Sequence, residues 1–89
     1  MTTRVKICGL NDEAAVDAAV SHGADYLGFI IFPKSPRAVS PQRAGELARR
    51  RGEAKAIAVL VDPSEPLLGE VLREMGPDVI QLHGQESPW

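Results

Sequence analysis

Five side chains with chemical potential stand within or just beyond short apolar runs: Cys8, Arg37, Asp62, Gln81 and His83. A thiol or an imidazole can carry a proton, a carboxylate can act as acid or base, and a guanidinium can grip an oxyanion. Taken singly, each has an ordinary alternative. A lone cysteine is often a small buried hydrophobe, Asp62 before Pro63 can open a turn or cap a helix, and His83 can bond neighbouring backbone. Their shared position matters more, because each falls at the carboxyl end of a predicted strand, and parallel strands bring those ends together. The sequence has no phosphate-cradling glycine loop, no serine in an elbow turn, and no paired metal ligands at helical spacing. What remains is acid–base chemistry that uses neither a metal nor a cofactor.

The elements that must position these residues can be read from periodicity and breakers. Residues 5–8 form a short β-type segment, followed through Gly9-Leu10-Asn11 by an Ala/Val-rich helix over 12–22, with Asn11 as its expected cap and Gly23 as its end. Residues 26–32 are too short and apolar for a typical helix and stop at Pro33, so they read as a buried strand. Two prolines and two cations over 33–39 make a loop, and Ser40-Pro41 then starts a helix that Gly52 ends, with Ala44, Leu47 and Ala48 on one face. A third strand covers 55–61. Leu67, Leu68, Val71, Leu72 and Met75 mark a third helix, broken by Gly76-Pro77, and a fourth strand covers 79–83.

Strand and helix thus alternate with short connections, which implies a parallel sheet with right-handed crossovers. Side-chain alternation bears on whether that sheet is an open, doubly wound one or a closed barrel. Lys6 and Cys8 share one face of the first strand, opposite Val5 and Ile7, and Gln81 and His83 oppose Ile80 and Leu82 on the fourth. A doubly wound sheet favours apolar residues on both faces, whereas a barrel interior can open into a polar site at its carboxyl end. The pattern fits the barrel.

Composition narrows the partners. With 44% hydrophobic and 25% charged residues, the chain is globular in type, and a net charge of −2 offers no electrostatic attraction for nucleic acid or an anionic membrane. Arg49-Arg50-Arg51 reads as a solvated helix end in which cations favour the dipole. No segment has the length of a membrane span or the form of a signal peptide, and the single cysteine suits a reducing compartment, so a cytoplasmic location is expected.

Three blocks carry a family resemblance. Lys6-Ile7-Cys8-Gly9-Leu10 resembles the opening motif of phosphoribosylanthranilate isomerases, and Gly28-Phe29 with Phe32-Pro33-Lys34-Ser35-Pro36-Arg37 is similar to their second-strand signature. Gln81-Leu82-His83-Gly84, with Glu86-Ser87-Pro88 opening a further helix, is similar to their fourth strand. The resemblance implies a (β/α)8 TIM barrel, with residues 1–89 as the N-terminal portion of that single domain: three βα units, strand four and the start of a fourth helix. It implies an Amadori rearrangement of N-(5-phosphoribosyl)anthranilate in tryptophan biosynthesis, without a cofactor or metal.

By the same resemblance, Cys8 is the general base and Arg37 binds the anthranilate carboxylate, with Lys6, Gln81 and His83 also contacting substrate. The family's general acid, an aspartate on a later strand, and its phosphate loops have no counterpart in this sequence. Asp62 follows the third strand and does not match that aspartate. The chain alone is therefore expected to be inactive, to self-associate, and to need the rest of the barrel as its partner. The alternatives are a half-barrel assembly module and a non-catalytic open-sheet binding domain.

Overall fold

The computed structural model describes residues 4–83, the last of them by its backbone alone. The elements alternate in chain order as β1 (Lys6–Cys8), α1 (Glu13–Ser21), β2 (Tyr26–Ile30), α2 (Pro41–Ala48), β3 (Lys55–Val61), α3 (Glu65–Glu74) and β4 (Val79–His83). The four strands form one parallel sheet in the order β1-β2-β3-β4. A doubly wound sheet reverses its order partway to cover both faces with helices. Here the order is consecutive, so right-handed crossovers put every helix on the same side.

Burial records that asymmetry. Leu27, Phe29 and Ile31 along β2 and its extension, with Ala56, Ala58 and Leu60 on β3, pack in one cluster with Val16 and Ala19 of α1, Ala44, Leu47 and Ala48 of α2, and Val71 of α3. Ile30, Ile57 and Val59 form a separate cluster on the other face, with Tyr26 and Phe32 against it and no helical residue. Small residues let the helices lie close. A Cβ on Gly45 of α2 would stand 2.3 Å from the carbonyl oxygen of Glu74, at the end of α3.

Several local details differ from the sequence reading. Asp12, not Asn11, caps α1, its carboxylate accepting from the Ala15 N–H at 2.7 Å. Ser40 caps α2 as expected, and Ser64 does the same for α3. Asp62 is no cap: it turns the chain out of β3 with a φ of +41°. β2 ends at Ile30, two residues short of the expected limit, and just there the Val39 N–H returns to bond the Ile30 carbonyl. On α3, Val71 is buried with Met75 at its C-cap, whereas Leu72 is 53% exposed despite its helical spacing.

The Arg49-Arg50-Arg51 run follows the end of α2 at Ala48, where the Arg51 guanidinium donates to the Ala48 carbonyl at 2.9 Å, and two of the three arginines also find acids. Arg50 holds Asp17 of α1 through two bonds of 2.9 and 2.7 Å, and Arg51 lies 3.3 Å from Asp78. Asp78 in turn accepts the Ala56 N–H, as Asp25 accepts that of Val5. These two aspartates precede β4 and β2, so each ties the foot of one strand to its neighbour. No helix among the described residues is long and apolar enough to cross a membrane.

Candidate active site

Register decides which side chains meet. Cys8, Gly28, Ile57 and Val79 stand side by side across the sheet, and Ile30, Val59 and Gln81 form the next layer towards the carboxyl ends. In a flat sheet β1 and β4 would lie about 14 Å apart, with side chains standing perpendicular. Yet the Lys6 ammonium donates to the Gln81 Oε1. The sheet therefore curls towards its helix-free face, and a β1 side chain meets a β4 side chain across the hollow.

The mouth of that hollow is a cavity of about 670 Å³, with Lys6, Cys8 and Gln81 in its wall and Ile30 and Val59 as its apolar lining. The loop after β2 closes one side with Phe32, Lys34, Ser35, Pro36 and Arg37. Two short turns build that loop, with the Ser35 N–H bonding the Phe32 carbonyl and the Ala38 N–H bonding the Ser35 carbonyl. The Ser35 hydroxyl also accepts from the Arg37 N–H at 3.2 Å. These bonds fold the loop back over the end of β1, so Arg37 lies against Gly9, where a Cβ would come within 2.8 Å of its Cδ and 3.1 Å of one guanidinium nitrogen.

Two features set the chemistry of this cavity. Its described lining includes three cations, Lys6, Lys34 and Arg37, and no carboxylate, so an anionic ligand is favoured over a cationic one. Cys8 is exposed into it as a free thiol. A nucleophile or base that shares its cavity with guanidinium and ammonium groups suits proton transfer on a substrate that carries negative charge.

Of the residues expected from sequence, Lys6, Cys8, Arg37 and Gln81 meet at this cavity. His83 closes β4 opposite Val61, but its side chain lies outside the described residues, as does the block 84–89. Asp62 is exposed and not part of the lining. Sequence reasoning did not single out Lys34 or Ser35 as functional, although both stand in the loop it identified. It also missed the space that Gly9 and Gly28 leave. A glycine inside an apolar strand was the available signal for the second.

A consecutive parallel sheet with helices on one face and a polar hollow at its carboxyl end matches the first part of a (β/α)8 barrel. Comparison with known proteins agrees. Residues 5–89 match the family of N-(5'-phosphoribosyl)anthranilate (PRA) isomerases, and the chain belongs to that family. The isomerase of Rhizobium meliloti is 54% identical over 89 residues, covering 99% of this chain and 41% of the relative. A solved isomerase from Thermotoga maritima superposes with a TM-score of 0.86 at 31% identity, over 97% of this chain and 42% of its own. Another isomerase structure, in complex with reduced 1-(o-carboxyphenylamino)-1-deoxyribulose 5-phosphate, also gives 0.86 at 31% identity and covers 97% of this chain and 45% of that one. The chain thus spans about two fifths of the length of the relatives it matches.

Proposed function

We propose that this chain forms the first four strands of a PRA isomerase barrel and supplies the base side of its active site. The observation that carries the reading is the convergence of Cys8, Arg37, Lys6 and Gln81 on one cation-lined cavity. The reaction begins when the ribose ring opens, its ring oxygen taking a proton and C1 becoming a protonated imine to the anthranilate nitrogen, which keeps its own hydrogen. Cys8, as the base, then removes the proton on C2. The electron pair left there moves towards C1 and the imine nitrogen to give an enolamine, whose tautomerisation leaves a ketone at C2 and an amine on C1.

Each residue has a role suited to its chemistry. Cys8 shares its cavity with the cations Lys6 and Arg37, which suit an anionic substrate. The Arg37 guanidinium offers a planar fork to the anthranilate carboxylate. Lys6 and Gln81, bonded to each other, are assigned to substrate binding, as is His83 by its place in the family motif. The acid that protonates the ring oxygen and the phosphate-binding loops belong to the rest of the barrel, and the reaction sits in tryptophan biosynthesis in the cytoplasm.

Steady-state kinetics on the complete barrel test the assignment. A general base acts in the transition state, so Cys8→Ala should lower kcat by about 10²- to 10⁴-fold and change KM far less. Retention of most of the turnover would return Cys8 to the role of a small packing residue.

A further inference from the structure

Along β2 and its extension, the side chains facing the hollow are Tyr26, Ile30 and Phe32, with a gap at Gly28. Glycine weakens a strand interior, since it adds backbone entropy and packs nothing, so its presence there points to a close approach by something else. That something is the Cys8 sulfur. A Cβ built on Gly28 would stand 2.7 Å from Cys8 Sγ, 3.3 Å from its Cα and 3.4 Å from its Cβ. The two residues are register partners, and the Gly28 carbonyl accepts the N–H groups of Gly9 at 3.1 Å and Leu10 at 3.3 Å, which fixes the backbone just after Cys8.

We propose that Gly28 is a positioning residue for Cys8: the thiol lies in the space that a side chain on β2 would fill, and that space sets where the sulfur meets its substrate. The proposal rests on the reading of Cys8 as the base. Even a methyl group at residue 28 would turn the sulfur to another rotamer or push β1 from β2, because 2.7 Å is well inside carbon–sulfur contact. A bulkier side chain would displace it further. Gly28 itself touches no substrate and acts through Cys8.

Gly28→Ala in the complete isomerase tests this with two readouts. Misplacing a reacting group by about 1 Å can cost on the order of 10²-fold in rate, so kcat should fall about ten- to hundredfold while KM stays within about twofold. The rate at which iodoacetamide alkylates Cys8 in the folded protein should also change by more than about twofold, as the sulfur leaves its seat. A folded Gly28→Ala protein with unchanged alkylation and unchanged kcat would overturn the proposal. If Gly28→Ala does not fold, the Cys8→Ala/Gly28→Ala pair decides. Recovery of the fold once the sulfur is gone supports the contact, and failure of both variants shows that Gly28 serves strand packing regardless of Cys8. Turnover by Cys8→Ala alone would refute the base assignment while leaving the alkylation result to speak for the geometry.

Discussion

Arg37 packs against Gly9, which has a φ of +79° and no side chain in the space that the stem and one guanidinium nitrogen of Arg37 occupy. A guanidinium held there would grip a carboxylate remote from the reacting carbon, in the ground and transition states alike. Arg37→Ala should therefore raise KM with a smaller effect on kcat, and a substrate analogue lacking the carboxylate should be nearly indifferent to the change. Kinetics with both compounds check this, and equal losses for the two would refute the pairing. The common location of Cys8, Arg37, Lys6 and Gln81 was legible from sequence because strand alternation and strand ends place them without any knowledge of packing. The seat of Cys8 over Gly28 was not, since it depends on register between two strands 20 residues apart in the chain.

Element boundaries followed the same division between local and long-range causes. β3 lies where the sequence places it, between a glycine-containing turn and Asp62-Pro63, and Ser40 caps α2 by the local chemistry that marks it out. The arginines beyond α2 do end that helix, Arg51 donating to the Ala48 carbonyl, but the acids that pair with Arg50 and Arg51 come from α1 and from the turn before β4 and so could not be read locally. Two ion pairs between α1 and the α2 region carry a pH dependence, Arg50 with Asp17 and Arg43 with Glu13. Hydrogen bonds from Arg43 and Arg50 hold the Glu13 and Asp17 carboxyls, respectively, below their ordinary values. Because the folded values are depressed, the stabilisation is present above the ordinary carboxylate range and is lost as pH falls through the folded values. Urea midpoints should drop between about pH 6 and about pH 3, and the drop should shrink in Arg50→Gln, which frees Asp17. High salt should weaken the effect, since both partners are well exposed. An identical drop in Arg50→Gln would remove this pair from the account.

For the whole molecule, the four strands leave β1 and β4 each with one unpaired edge among the described residues. Exposed apolar side chains gather at those edges: Val5, 46% exposed, beside β1, and Val79 and Leu82, 40% and 63% exposed, on β4. Unpaired parallel edges with apolar flanks recruit further strands. The 89-residue chain studied alone should therefore associate, and size-exclusion chromatography with light scattering should give masses above the 9.6 kDa of one copy. A stable monomer with a cooperative unfolding transition would contradict this.

The central claim is that this chain brings the base and the rest of the barrel brings what the base cannot do. Turnover of N-(5-phosphoribosyl)anthranilate, measured with the chain alone, with a fragment of the family barrel covering the later strands alone, and with both together, tests it most directly. The expected result is silence from either part, turnover from the mixture, and loss of that turnover by about 10²-fold or more when the chain carries Cys8→Ala. Turnover by the chain alone, or a reconstituted activity that survives Cys8→Ala, would contradict it.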